Sequence, residues 1–325
     1  MKPIRLALTL ALTAFLVHVP GARADDGSFR VRIATGSLTG VYYSAGNAVC
    51  RVLERRFGGR VDCKVVETGG TGTNIPMLSE GRVEFAIAQA DILLASTSSG
   101  RTETIAEANG IRAIAALYPE VFQVVARREL GLERAGKLVD YRTNLGMPDS
   151  GTRKTIDGLL RALDMSLDEF RYPMEIPGSR DLDAFCNREI DAFAFVSGVP
   201  NGKVALALQQ CGGAIVGFVR QVNAGYVRTT PGVEFYRFRK SSYPGMVRTV
   251  DTFAVPALLV TRQDMEGSDV RRILGALLDD IAYLSKLHPA WSEISTVSMA
   301  RDIEPALMHD GAKAEYLARR ILPFR

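Results

Sequence analysis

Five short stretches carry the residues best suited to hold a ligand: Thr35-Gly36-Ser37, Thr68-Gly69-Gly70-Thr71, Gln89-Ala90-Asp91, Ser150-Gly151-Thr152-Arg153 and Ser197-Gly198-Val199-Pro200. Hydroxyl and amide side chains donate hydrogen bonds without adding charge, and glycine lets backbone N–H groups approach a ligand closely. Several stretches stand where a helix is expected to begin, so free N–H groups and the positive helix end would face the same ligand. A carboxylate or phosphate suits such a surface. Tyr42 would wall the ligand or pack in the core, and Arg153 would pair with a ligand anion or lie solvated on its helix. One such loop is commonly no more than a helix cap. Several together point to a binding cleft.

The constellations of catalysis are missing from these stretches. Neither Gly-x-Ser-x-Gly nor His-Glu-x-x-His occurs, and there is no dinucleotide fingerprint or phosphate-binding Gly-x-x-x-x-Gly-Lys-Ser/Thr. With no Cys-x-x-Cys, and with His288 and His309 far from the cysteines, neither a metal nor a cofactor is expected. Asp91 and Asp149 are the only acid-base candidates beside the loops, so binding is favoured over turnover.

The elements that must position the loops alternate strand and helix. Residues 29–34 read as a strand, and Val41, Ala45, Ala48, Val49, Val52 and Leu53 recur at helical spacing until Gly58-Gly59. A strand at 63–67, a short helix at 74–80 and a buried strand at 83–89 follow, with Asp91 as N-cap of the next helix. Two strands, 111–117 and 121–126, close this unit. A second unit repeats the layout, with strands at 142–146, 190–196 and 214–218 and a helix carrying Ile156, Leu159, Leu160 and Leu163. After an irregular stretch at 227–248, a strand at 255–260 and one long helix at 269–287 return to the first unit. The expectation is an α/β protein of two domains around a central cleft, with lobe 1 at 25–122 plus 251–325 and lobe 2 at 123–250.

Residues 1–24 carry an export signal. Lys2 and Arg5 precede an apolar run at 6–19, and Ala22-Arg23-Ala24 is a small-x-small cleavage site. The run falls short of the roughly 20 residues that span a bilayer, and no cysteine follows to take a lipid. A free periplasmic protein is expected. Cleavage leaves 37 basic residues, the original 40 less Lys2, Arg5 and Arg23, against 36 acidic ones, so nucleic acid is not an expected partner. The four cysteines survive cleavage and allow three pairings, of which spacing favours Cys50 with Cys63 and Cys186 with Cys211.

Taken together, Ile33-Ala34-Thr35-Gly36-Ser37-Leu38-Thr39-Gly40-Val41-Tyr42-Tyr43, Glu67-Thr68-Gly69-Gly70 and Ala88-Gln89-Ala90-Asp91 resemble the TAXI family of TRAP-transporter solute-binding proteins. Tyr118-Pro119-Glu120, Val124-Val125-Ala126-Arg127, Ser150-Gly151-Thr152-Arg153, Ile190-Asp191-Ala192, Leu287-His288-Pro289 and Tyr316 fall in the family's order, and both cysteine pairs stand where many members carry them. The resemblance implies a two-lobed, type II-like periplasmic receptor, expected as a monomer, that closes on an acidic amino acid or another small carboxylate. Its partner would be a TRAP-type, ion-driven membrane permease. By motif, Thr35, Gly36, Ser37, Tyr42, Thr68, Gly69, Gly70, Thr71, Gln89 and Asp91 would bind from the first lobe, and Ser150, Gly151, Thr152, Ser197, Gly198 and Pro200 from the second. Departures occur at Thr71, where many members have Ser, at Asp149, where Gly is usual, and over 227–248. A carboxylate at Asp149 would repel an acid unless it turns away or the ligand carries an amine. A receptor feeding a sensor, an enzyme acting on small carboxylates and a structural protein remain open alternatives.

Overall fold

Apolar residues alternate with Arg30 and Arg32 along β1 (Phe29–Ala34), so Val31 and Ile33 turn to one buried face. β1 lies parallel between β2 (Val61–Val66) and β3 (Phe85–Gln89). The helix Val41–Phe57 joins the first two strands and stops at Gly58, whose φ of 59° suits glycine. The chain continues through β4 (Ile111–Arg127), β5 (Arg142–Asn144), β6 (Tyr172–Met174), β7 (Ala192–Ser197), β8 (Gly213–Val216), β9 (Glu234–Phe238) and β10 (Val250–Arg262). The computed structural model describes residues 29–38, 40–97, 102–218 and 220–321, and of 220–224 the backbone alone. The export signal expected at 1–24 lies outside the described residues.

All ten strands belong to one curled sheet of order β2-β1-β3-β10-β4-β7-β5-β6, with β8 added on β4 and β9 on β10. Two long antiparallel strands, β4 and β10, run from one lobe into the other. The first part of β4 pairs with β10, and its last part, from Val121, pairs with β7 and β8. Likewise β10 pairs β3 from Ala257 onward and β9 up to and including Ala254. Between these halves Pro119 faces Pro256 across the ladder, so neither residue offers an N–H there. The apolar cores divide at the same place: one gathers residues between 31 and 118 and between 257 and 316, and two others gather residues between 121 and 255.

The structure corrects several expectations. The strands read at 111–117 and 121–126 are one strand, because Pro119 meets another proline rather than a turn. The stretch at 227–248 is not wholly irregular, since β9 pairs with β10 and the buried Tyr243 donates to Gln123 Oε1 at 2.7 Å. The helix read at 269–287 is two, Gly267–Asp279 and Ile281–Leu287. Asp280 separates them, with its carboxylate 3.6 Å from Arg55 and its carbonyl accepting from the amides of Tyr283 and Leu284.

Both favoured cystine pairs are present, with Cα–Cα distances of 5.3 Å for Cys50–Cys63 and 5.0 Å for Cys186–Cys211. The first ties the helix Val41–Phe57 to β2, and the second ties the ends of the helices Asp181–Cys186 and Gly202–Gln210. By loop-closure entropy each stabilises by about 3 kcal/mol, the 25-residue separation slightly more than the 13-residue one. Denaturant unfolding of Cys186→Ser/Cys211→Ser is expected to read that loss.

Candidate functional site

A cleft of about 670 Å³ opens between the lobes, with walls formed by strand ends from both. On the first-lobe side, the turns after β1, β2 and β3 bring Gly36, Ser37, Tyr42, Thr68, Gly69, Gly70, Thr71 and Gln89 together. A buried polar network holds these turns. Thr35 Oγ1 donates to Val66 O at 2.8 Å, and the Thr35 carbonyl accepts from Thr68 Oγ1 at 2.9 Å and from Asn74 Nδ2 at 2.6 Å. Asn74 Nδ2 also reaches Ile87 O at 2.8 Å, so one amide joins the ends of β1 and β3. The next helix runs Thr71–Ser79, three residues earlier than its apolar pattern suggests, and Gly70 starts it at φ 99°, which a side chain would resist.

The second lobe supplies Ser150, Gly151, Thr152 and Ser197 to the cleft. Ser150 caps the helix Gly151–Ala162 by accepting from the amide of Arg153 at 3.2 Å. The same wall carries Asn144, Asp149, Asp181, Asp183, Phe195 and Lys203. Lys203 Nζ sits 2.5 Å from Asp181 Oδ2, 3.1 Å from Gly178 O and 4.1 Å above the Phe195 ring. Burial raises the Asp181 carboxyl above its ordinary range, opposed by Lys203 and by the hydrogen bond from Asn144.

At the floor stands Glu120, buried to 4% exposure, with Oε2 accepting from Tyr42 Oη at 2.6 Å. Burial pushes its carboxyl up to about 8, the Tyr42 bond opposes this, and nearby Asp91 adds to it.

Five expected ligand residues do not reach the cleft wall. Thr35 is consumed by the network that holds the turns. Asp91 neither caps a helix nor lines the cleft. It sits in the first turn of the helix Ala90–Leu94 after Gln89, and its carboxylate accepts from Thr155 Oγ1 at 2.7 Å. Because Gln89 Nε2 also donates to Thr155 Oγ1 at 2.9 Å, these three buried side chains tie the lobes together. Arg153 is already paired, with Asp157 at 3.0 Å and Glu175 at 2.7 Å. Gly198 packs against Tyr118 and Ala290, where any Cβ would meet carbon at 3.0–3.2 Å, and Pro200 is exposed away from the cleft. Conversely, Glu120, Asn144 and Lys203 line the cleft unforeseen. Asn144 ends β5, so the strand-end rule would have found it; Glu120 was in view only within Tyr118-Pro119-Glu120.

Two α/β lobes joined by long crossing strands around a cleft define the type II-like architecture of periplasmic binding proteins. The chain belongs to the NMT1-like family, whose model matches residues 33–317. Among solved structures, it is similar to an ancestral arginine-binding protein bound to arginine, with 12% identity, a TM-score of 0.50, and coverage of 81% of this chain and 97% of that one. The alkanesulfonate-binding protein SsuA from Xanthomonas axonopodis pv. citri, bound to MOPS, matches at 18% identity and TM-score 0.47, over 90% of this chain and 94% of its own. A periplasmic sulfonate-binding protein SsuA from Methylobacillus flagellatus KT matches at 12% identity and TM-score 0.49, over 91% and 75%. At such identities the likeness is one of fold.

Proposed function

We propose that the protein is an exported solute receptor that binds a small organic anion or amino acid between its lobes and delivers it to a TRAP-type, ion-driven permease. The observation that carries this reading is a cleft to which both lobes contribute uncharged donors, with the lobes in contact through Gln89, Asp91 and Thr155. A solute touching both walls stabilises the closed form by its differential affinity, and closure is the state a permease would recognise. In this reading the lobes are 25–122 plus 251–325 and 123–250, with the facing prolines 119 and 256 near both crossings. Gly36, Ser37, Tyr42, Thr68, Gly69, Gly70, Thr71, Gln89, Ser150, Gly151, Thr152 and Ser197 contact the solute. Thr35, Asp91, Arg153, Gly198 and Pro200 act behind the wall. The protein works as a monomer in the periplasm after losing 1–24, performs no reaction and needs no cofactor.

Native mass spectrometry of protein exported and purified without refolding is expected to find a co-purified small solute. Proteoliposomes bearing a TRAP-type permease should take up that solute only when this chain is added. Failure of a broad panel of carboxylates, sulfonates and amino acids to raise the melting temperature would remove the receptor reading, and uptake without the chain would remove the permease.

A further inference from the structure

Among the described residues the cleft wall carries four carboxylates, Glu120, Asp149, Asp181 and Asp183, against a single cation, Lys203. That cation is spent on Asp181. A purely anionic solute would therefore meet a wall of its own sign, with only neutral donors to hold it. Glu120 is set apart from Asp149 and Asp183 by burial, and from the equally buried Asp181 by having no cation as partner among the described residues. It reaches the cleft from β4, and only its Oε2 has a donor, the Tyr42 hydroxyl. Among the described residues no hydrogen bond reaches Oε1 and no cation pairs with the carboxylate. Since Tyr42 points its proton at Glu120, the carboxylate is organised as an acceptor.

We propose that Glu120 is the recognition group for a ligand ammonium, so that the solute is an amino acid or a related primary amine rather than a simple carboxylate or sulfonate. This rests on the receptor reading above and narrows it. The solute's own carboxylate lies against the uncharged loops, while its ammonium supplies Oε1 with the partner the protein withholds. Buried charge is tolerated when paired, and here the pairing arrives with the ligand.

A proton inventory follows. The titratable groups that face Glu120 are Tyr42, Tyr118 and Asp91, and all lie above their ordinary values because of burial. With its own carboxyl at about 8, empty Glu120 holds a proton at neutral pH. Binding an ammonium expels that proton. Affinity therefore rises with pH, by up to roughly tenfold per unit, until the empty carboxyl is itself ionised, and then levels.

Isothermal titration calorimetry with three matched pairs tests this: L-glutamate with glutarate, L-alanine with propionate, and L-leucine with 4-methylpentanoate, each at several pH values between about 6 and 9. In at least one pair the amine member is expected to bind and its partner to bind at least about tenfold more weakly, with proton release at pH 7 and the rising pH profile. Glu120→Gln, checked for folding by its melting temperature, should lose at least about tenfold in affinity and the pH slope with it. Tighter binding of a deaminated partner, with affinity falling as pH rises, overturns the ammonium assignment while leaving a receptor. If neither class binds, both readings fall. The wild-type pH profile decides the matter even if Glu120→Gln does not fold.

Discussion

Gly72→Ala is expected to weaken solute binding by about 100-fold while leaving the unliganded fold as stable as before, or slightly more so. The substitution sits on the helix Thr71–Ser79 of the first lobe, where alanine is the better helix former. Across the cleft, however, a Cβ at this position would fall far inside van der Waals contact distance of the Asp149 carbonyl oxygen and press on Lys154 Cε at 3.4 Å. The obstacle is backbone, so no rotamer change relieves it. The lobes must stay further apart. Gly151 makes an instructive contrast, because a Cβ there meets the end of the Gln89 side chain, which can swing aside at the cost of its bond to Thr155. If closure sets affinity, reducing the closed population to about one part in a hundred raises the apparent Kd by the same factor. Titration calorimetry reads the affinity, and small-angle scattering reads whether solute still contracts the molecule. An unchanged Kd would mean that the contact between Gly72 and Asp149 has no part in binding.

The residues behind this prediction were unevenly legible in the sequence. Gly36, Ser37, Gly69, Gly70 and Ser150 were visible because small and hydroxyl residues after a strand pattern mark the ends of parallel strands, where clefts form. Thr35 looks the same in sequence but faces inward. What separates it from Ser37 is Asn74, whose amide arrives from a different helix and consumes the Thr35 carbonyl. Arg153 was drawn off by Glu175, which lies 22 positions away and carries no motif. Long-range satisfaction of this kind has no local signature. The same holds for β4, read as two strands on either side of Pro119, which is carried through one strand because another proline faces it. Apolar periodicity also runs on past Asp280, so only the ion pair with Arg55 and the local carbonyl geometry reveal the break there.

Lys203→Met is expected to destabilise the protein by about 4 kcal/mol at pH 8 and by less at pH 5. The Asp181 side chain is only 3% exposed, and Lys203 is the one cation paired with it among the described residues. Removing the ammonium leaves a buried carboxylate with Asn144 as its remaining side-chain donor, which is costlier than never having built the pair. The sign of the pH dependence follows from burial. Desolvation already holds the Asp181 carboxyl above its unfolded value against the pull of Lys203, so loss of Lys203 lifts it further. A carboxyl raised in the folded state binds protons there that the unfolded chain has released, so stability falls as pH rises between the two values. As pH falls, a growing share of the variant's Asp181 is neutral, so the deficit is smaller at pH 5 than at pH 8. Urea unfolding at both pH values measures it, and Lys203→Met/Asp181→Asn should recover most of the loss at pH 8. A deficit that is equal at the two pH values, or that Asp181→Asn fails to relieve, would show that Lys203 acts through its packing on Phe195 instead. The outcome bears on the solute as well, because a Lys203 charge committed to Asp181 is unavailable to an arriving anion, and Glu120 is then the cleft's most deeply buried charge-bearing group still open to a partner.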